Sequence, residues 1–136
     1  MRRQWSLEQE NGQAAAEMAL VLPIFAALVL GIAQFGIAFN NYMTLTDATR
    51  AGARQAAVSR FVNDNGASAI AAVKASAAGL DMTKLELTPI TVTATPNWTT
   101  TGNTVTVTAS YPYSINILGW TVTSGNLTST TKERLE

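Results

Sequence analysis

The stretch "NGQAAAEMALVLPIFAALVLGIAQFGIAF", residues 11–39, decides the architecture. From Met18 to Phe39 it holds 22 residues without a charge, interrupted only by Pro23, Gly31, Gln34 and Gly36. At a rise of about 1.5 Å per residue this is about 33 Å of α-helix, enough to cross a hydrocarbon core of about 30 Å. A cleaved secretory signal has an apolar region of only about 7–15 residues and ends at a small-x-small site. This run is longer and continues into helical sequence, so it predicts a retained transmembrane helix. Pro23, near the start of the run, is tolerable if it falls in a first turn, where amides are unpaired, or where membrane neighbours re-satisfy a freed carbonyl.

Beyond Phe39 the helical period persists. Tyr42, Leu45, Ala48, Gly52 and Ala56 recur at three- and four-residue spacing, while Asn41, Asp47, Arg50, Arg54 and Arg60 take other faces. The spacing predicts one helix of about 45–50 residues that ends at "NDNG", Asn63 to Gly66. Its outer half is rich in alanine and offers a narrow face for close packing. A second helix is expected from Ala67 to Ala78, anchored by Ile70 and Val73 and stopped by Gly79.

The period then changes from 3.6 to 2. "ITVTAT", Ile90 to Thr95, and "TVTVTASY", Thr104 to Tyr111, alternate threonine with apolar residues, as half-buried strands do. Pro96, Asn97, Gly102 and Asn103 mark the loop between them. Leu85 and Leu87 lie on the opposite phase, which points to a bulge or strand start at Pro89. A third strand is expected through Trp120 and Val122, and a last, edge strand over Leu127 to Arg134. The expected fold class is α+β: a long N-terminal helix and a small head with a second short helix and an antiparallel sheet of three or four strands. The sheet is expected to pack on the small face of the long helix. The expected division is a leader over 1–12, the long helix over 13–63 and the head over 64–136.

Composition narrows the chemistry. The chain of 136 residues has no cysteine and no histidine, which removes disulfides, thiolate nucleophiles, imidazole bases and the usual zinc sites. Nine basic residues balance nine acidic ones, so no electrostatic footprint for nucleic acid exists. The acids Asp47, Asp64, Asp81, Glu86, Glu133 and Glu136 are scattered with no base beside them. No enzyme, metal or cofactor is expected. The tripeptides at Asn97 and Asn126 match the glycosylation acceptor pattern, a chance match if the chain is bacterial.

Within the apolar run, Ala27, Gly31 and Ala38 fall near one stripe, the small-residue spacing that lets helices approach closely in lipid, with Gln34 as a potential hydrogen-bonding partner across such a contact. The same composition is common in membrane helices that pack against nothing. Glu17 stands one residue before the run, where a carboxylate costs a few kcal/mol unless water or a partner reaches it.

The segment "GQAAAE" followed by "MALVLP" resembles the class III signal of type IV pilin-like proteins, in which a glycine precedes the cut and a glutamate follows five residues later. Gly12 and Glu17 stand in those roles, with Gln13 as the residue exposed by cleavage. Over about 45 residues, "AAAEMALVLP", "FGIAF" and "ATRAGAR" resemble the TadE-like family of tight-adherence pseudopilins; "VTVTASYPYSI" and "TSTTKERLE" resemble its later strands more loosely.

The resemblance implies a minor pilin or pseudopilin cut after Gly12 by a prepilin peptidase. It also implies partners: the membrane, other pilin subunits and the pilus assembly platform. A cytoplasmic leader, a single pass through the bacterial inner membrane and a head outside the cytoplasm follow from it, with the surface pilus as a further location. Charge alone leaves orientation open, because Arg2 and Arg3 flank one end while Arg50, Arg54 and Arg60 follow the other. The other reading is a membrane-anchored binding module outside any filament, with Trp98 or Trp120 as a contact residue or as core.

Overall fold

A computed structural model describes residues 4–59, 66–86, 90–95 and 102–135. Three helices precede three strands: α1 (Gln4–Val58), α2 (Ala67–Ser76), α3 (Met82–Glu86), β1 (Thr91–Thr95), β2 (Thr104–Ile117) and β3 (Trp120–Arg134). The strands form one antiparallel sheet in the order β1-β2-β3. The chain is therefore α+β, as its two periodicities predict.

The long helix spans 55 residues and runs unbroken through Pro23. Because α1 begins at Gln4, Pro23 lies in the helix interior and not in a first turn. Its missing N–H leaves the Ala19 carbonyl without the usual i−4 donor. The helix is described to Val58, and the expected stop at Asn63 to Asn65 lies outside the described residues.

The core follows from the small face of α1. Leu45, Ala48, Gly52 and Ala56 are buried, as the spacing predicts, and Ala53 joins them, whereas Tyr42 stays exposed. Gly52 marks the closest approach. A Cβ there would overlap Val73 Cγ2 and sit 3.1 Å from the Ala69 carbonyl oxygen of α2. Glycine is what lets the two helices meet. Gly66, at φ 86, turns the chain into α2, and Gly79, at φ 100, follows its end. On the sheet side, Val105, Val107, Ala109 and Tyr111 alternate inward from β2, and Leu85, Leu80 and Leu135 close the cluster.

Leu85 sits in a short helix and not on a strand. Asp81 caps that helix, its Oδ1 accepting from the Thr83 amide at 3.0 Å and from the Thr83 hydroxyl. This local capping offers the backbone a helical start that the Leu85/Leu87 alternation does not reveal. Leu87 and Pro89 lie outside the described residues, as do Pro96, Asn97 and Trp98.

The two strands expected around Trp120 and over Leu127 to Arg134 are one strand of 15 residues. It pairs with β2 from Thr104↔Arg134 to Ile117↔Trp120, with one irregularity at Ile115/Asn116 that leaves Val122 without an opposite residue. Gly125 does not break it, because Tyr113 lies directly across and its ring covers the glycine at 3.2 Å from a Cβ position. Among the described residues β1 pairs with β2 as far as Thr91↔Thr108, and Pro112 lies beyond that ladder, opposite Asn126 of β3.

Candidate functional site on the long helix

The apolar part of α1 is not a buried core helix. Thirteen large apolar side chains between Met18 and Phe39 are exposed, from 42% for Leu30 to 74% for Leu20. Among the described residues α1 is the one helix long and apolar enough to cross a membrane, with a mean hydropathy of 2.3 in its most apolar window. Outside the stripe of Ala27, Gly31, Gln34 and Ala38, the surface of this segment is what a lipid-facing helix presents.

At its N-terminal edge Gly12, Gln13 and Glu17 are exposed on continuous helix. A Cβ at Gly12 would meet nothing within 4 Å, so neither packing nor a turn requires glycine here. Gln13 Nε2 donates to Glu17 Oε1 at 3.2 Å, one turn along the same face. This bond satisfies one acceptor site of a carboxylate that has about four. Among the described residues Glu17 has no cation beside it: beyond it α1 carries no further charge until Asp47, which pairs with Arg50 at 3.2 Å.

At the other end of the run the helix is not bare. Thr49 and the hairpin of β2 and β3 fix the axial position of the sheet, with Thr49 Oγ1 2.9 Å from Ser129 Oγ and 3.2 Å from Thr131 Oγ1. From there the hairpin runs back along α1 toward the N-terminus. Ile117 Cδ1 reaches to 3.5 Å from the point where a Cβ on Gly31 would sit. Ala27, Gly31, Gln34 and Ala38 are all half-buried, in contrast to the exposed positions around them.

Two cavities lie between helix and hairpin. One, of about 340 Å³, is almost wholly apolar and is lined by Phe35, Ala38 and Tyr42 on the helix and Tyr113, Ile115 and Leu127 on the hairpin. A smaller one, of about 130 Å³, brings Gln34 and Asn41 beside Tyr113, Ser114 and Lys84. The structure thus gathers Gly31, Gln34 and Ala38 under the chain's own hairpin, and leaves Gly12, Gln13, Glu17 and Pro23 on the far, uncovered half of the helix. The hairpin's place on the helix had no signal in the sequence beyond the absence of charge from Thr104 to Thr131. Trp120, at 81% exposure, is not a core residue.

Comparison with known families falls on this same helix. Residues 12–54 match the family model of TadE-like protein. The matched segment starts at Gly12, takes in Glu17 and the whole apolar run, and ends at the exposed Arg54, beside the buried Gly52 and Ala53 that pack on the head. This family is structural and associated with tight-adherence pili. No curated protein and no solved structure matches the chain. The likeness to TadE-like protein is therefore confined to α1, and the hairpin lies beyond it. Among the described residues no group of three or more acidic side chains forms a metal-binding cluster.

Proposed function

We propose that this protein is a minor pilin or pseudopilin of a tight-adherence type IV pilus, anchored by the TadE-like helix in the inner membrane with its head outside the cytoplasm. A prepilin peptidase cuts after Gly12, and the mature subunit assembles by helix packing on the pilus platform. It performs no catalysis. The observation that carries this reading is the unpaired Glu17 at the head of an apolar run whose large side chains are exposed.

The physical argument concerns what cleavage creates. An α-amino group has an ordinary pKa of about 8 and is mostly protonated at neutral pH. Cut after Gly12, Gln13 carries that ammonium and becomes the first residue of a helix whose N-terminal amides are unpaired. Glu17 then lies one turn from a cation and from the positive end of the helix dipole, about half an elementary charge. Between packed subunits, Glu17 of one copy meets the ammonium of the next. The pair offsets the cost of an acid in lipid and sets the axial register.

Glu17→Ala tests this directly. The variant inserts in the membrane as the wild type does, because its apolar run is unchanged, and fails to co-assemble with pilin subunits. Normal co-assembly removes the register argument. The exposure of Trp120 favours a second reading, a membrane-anchored module that binds a partner through its hairpin. An uncut protein dispersed in the membrane, in cells that have the peptidase, selects that reading.

A further inference from the structure

We propose that the face of α1 turned away from the hairpin, from Phe25 to Met43, is a docking surface for α1 of a second copy of this chain. This inference rests on the membrane reading of α1 and deepens the helix packing proposed above.

The hairpin shows where lipid ends. Ile117 lies against Gly31, near the middle of the apolar run, and Tyr113 and Ile115 line a cavity with Phe35 and Ala38. The hairpin therefore stands beside the whole outer half of the run. Strand alternation sets Ser114 and Asn116 on its other face, with Ser124 and Thr121 opposite them and Asn126 one pair further along. All five are exposed, and they bond to one another: the Thr121 hydroxyl donates to Asn116 Oδ1 at 2.7 Å, and the Asn116 amide to Ser114 Oγ at 3.4 Å. Amides and hydroxyls exposed in this way are costly in hydrocarbon and suited to water. Water beside the hairpin means water beside residues 31–39. Residues 11–30 remain to span about 30 Å of hydrocarbon, with Glu17 inside it.

The apolar side chains of the outer half then need a cover other than lipid. Ile32 and Phe39 are exposed at 66% and 57%, and Met43, past the end of the run, at 47%. Spacing identifies the cover. Phe25, Val29, Ile32, Gly36, Phe39 and Met43 recur at alternating steps of four and three residues, the repeat by which one helix packs along another. At 3.6 residues per turn they lie on the side of α1 away from Gly31, Gln34 and Ala38, which the hairpin covers. Gly36 sits within this series, and a Cβ there would meet nothing within 4 Å. Nothing in its own chain calls for glycine at that point, whereas a second helix approaching closely does.

A second copy carries the same series and crosses the same membrane in the same direction. The two helices run parallel, and each series faces itself. Glu17 lies about a quarter-turn round α1 from this face, which keeps the contact separate from the one Glu17 makes.

The chain has no cysteine, so single cysteines in the full-length protein report without background. In membrane fragments open on both sides, mild oxidation is expected to link Gly36→Cys into a dimer and to leave Ile37→Cys, on the flank, monomeric. Adding Ile32→Asn and Phe39→Asn to Gly36→Cys abolishes most of that dimer. A membrane-impermeant maleimide labels Ser124→Cys on the hairpin and does not label Ile24→Cys in the span. Gly36→Cys that stays monomeric, whether the maleimide labels it or not, overturns the docking and leaves the membrane helix standing. Equal linking of Gly36→Cys and Ile37→Cys is chance collision and overturns it too, as does a Ser124→Cys that resists the maleimide. Labelling of Ile24→Cys overturns the membrane reading itself.

Discussion

Thr49 Oγ1 and Ser129 Oγ lie 2.9 Å apart, both buried, and join residues 80 positions apart in the chain. Thr49 also donates to the Thr46 carbonyl at 2.9 Å, which uses its one proton, so Ser129 and Thr131 donate to it. This small hydroxyl cluster fixes how far along α1 the sheet is docked. Because β3 is a single unbroken strand, it also fixes where the hairpin tip falls.

Thr49→Val keeps the shape of the side chain and removes the acceptor, leaving the Ser129 hydroxyl without that partner. The expected loss is about 1–3 kcal/mol in detergent-solubilised protein, by denaturant titration. Thr49→Val with Ser129→Ala recovers part of it, since both polar partners are then gone.

Gly52→Ala is expected to cost about 1–3 kcal/mol, because the added methyl meets Val73 and the Ala69 carbonyl of α2. Gly36→Ala serves as its control: a Cβ there meets nothing within 4 Å, and stability should be unchanged or slightly raised. A drop in melting temperature of equal size for both variants would contradict the close approach of α1 and α2.

Leu118→Asn relieves a left-handed leucine and should stabilise the head by about 1 kcal/mol in detergent. A destabilised head would mean that Leu118 packs within its own chain.

Asp81 titrates below the ordinary carboxylate value of 3.8, chiefly because the Thr83 hydroxyl donates to its carboxylate. A depressed folded-state pKa stabilises the fold above the unfolded value, and the contribution disappears as pH falls through the folded one. Asp81→Asn keeps a capping acceptor and loses the titration. The stability difference between wild type and Asp81→Asn should therefore narrow as pH is lowered from about 5 to about 3. A difference that stays constant over this range would contradict the assigned cause.

Much of this architecture was legible in the sequence because each element announces its own period. The apolar run, the Leu45–Ala48–Gly52–Ala56 face and the alternation in "TVTVTASY" each specify an element without help from elsewhere. What was not legible depends on partners distant in the chain. Leu85 and Leu87 alternate like a strand, yet the Asp81 cap starts a helix at Met82. The stretch around Gly125 reads as a break between strands until Tyr113 is seen to cover it. The Ala27–Gly31–Ala38 stripe has the spacing for a neighbouring helix, while the chain's own Ile117 reaches Gly31. Gly12 and Gln13 stand out only through the resemblance of "GQAAAE" to a class III signal, whereas Glu17 also stands out as an acid at the head of the run.

The central claim is that an ammonium created at Gln13 answers the lone acid Glu17. Its most direct test is the intact mass of the protein extracted from membranes of cells with and without the prepilin peptidase. The account predicts a chain beginning at Gln13 when the peptidase is present and one still carrying residues 1–12 when it is not. An assembled subunit that retains Gly12 and everything before it would contradict the account.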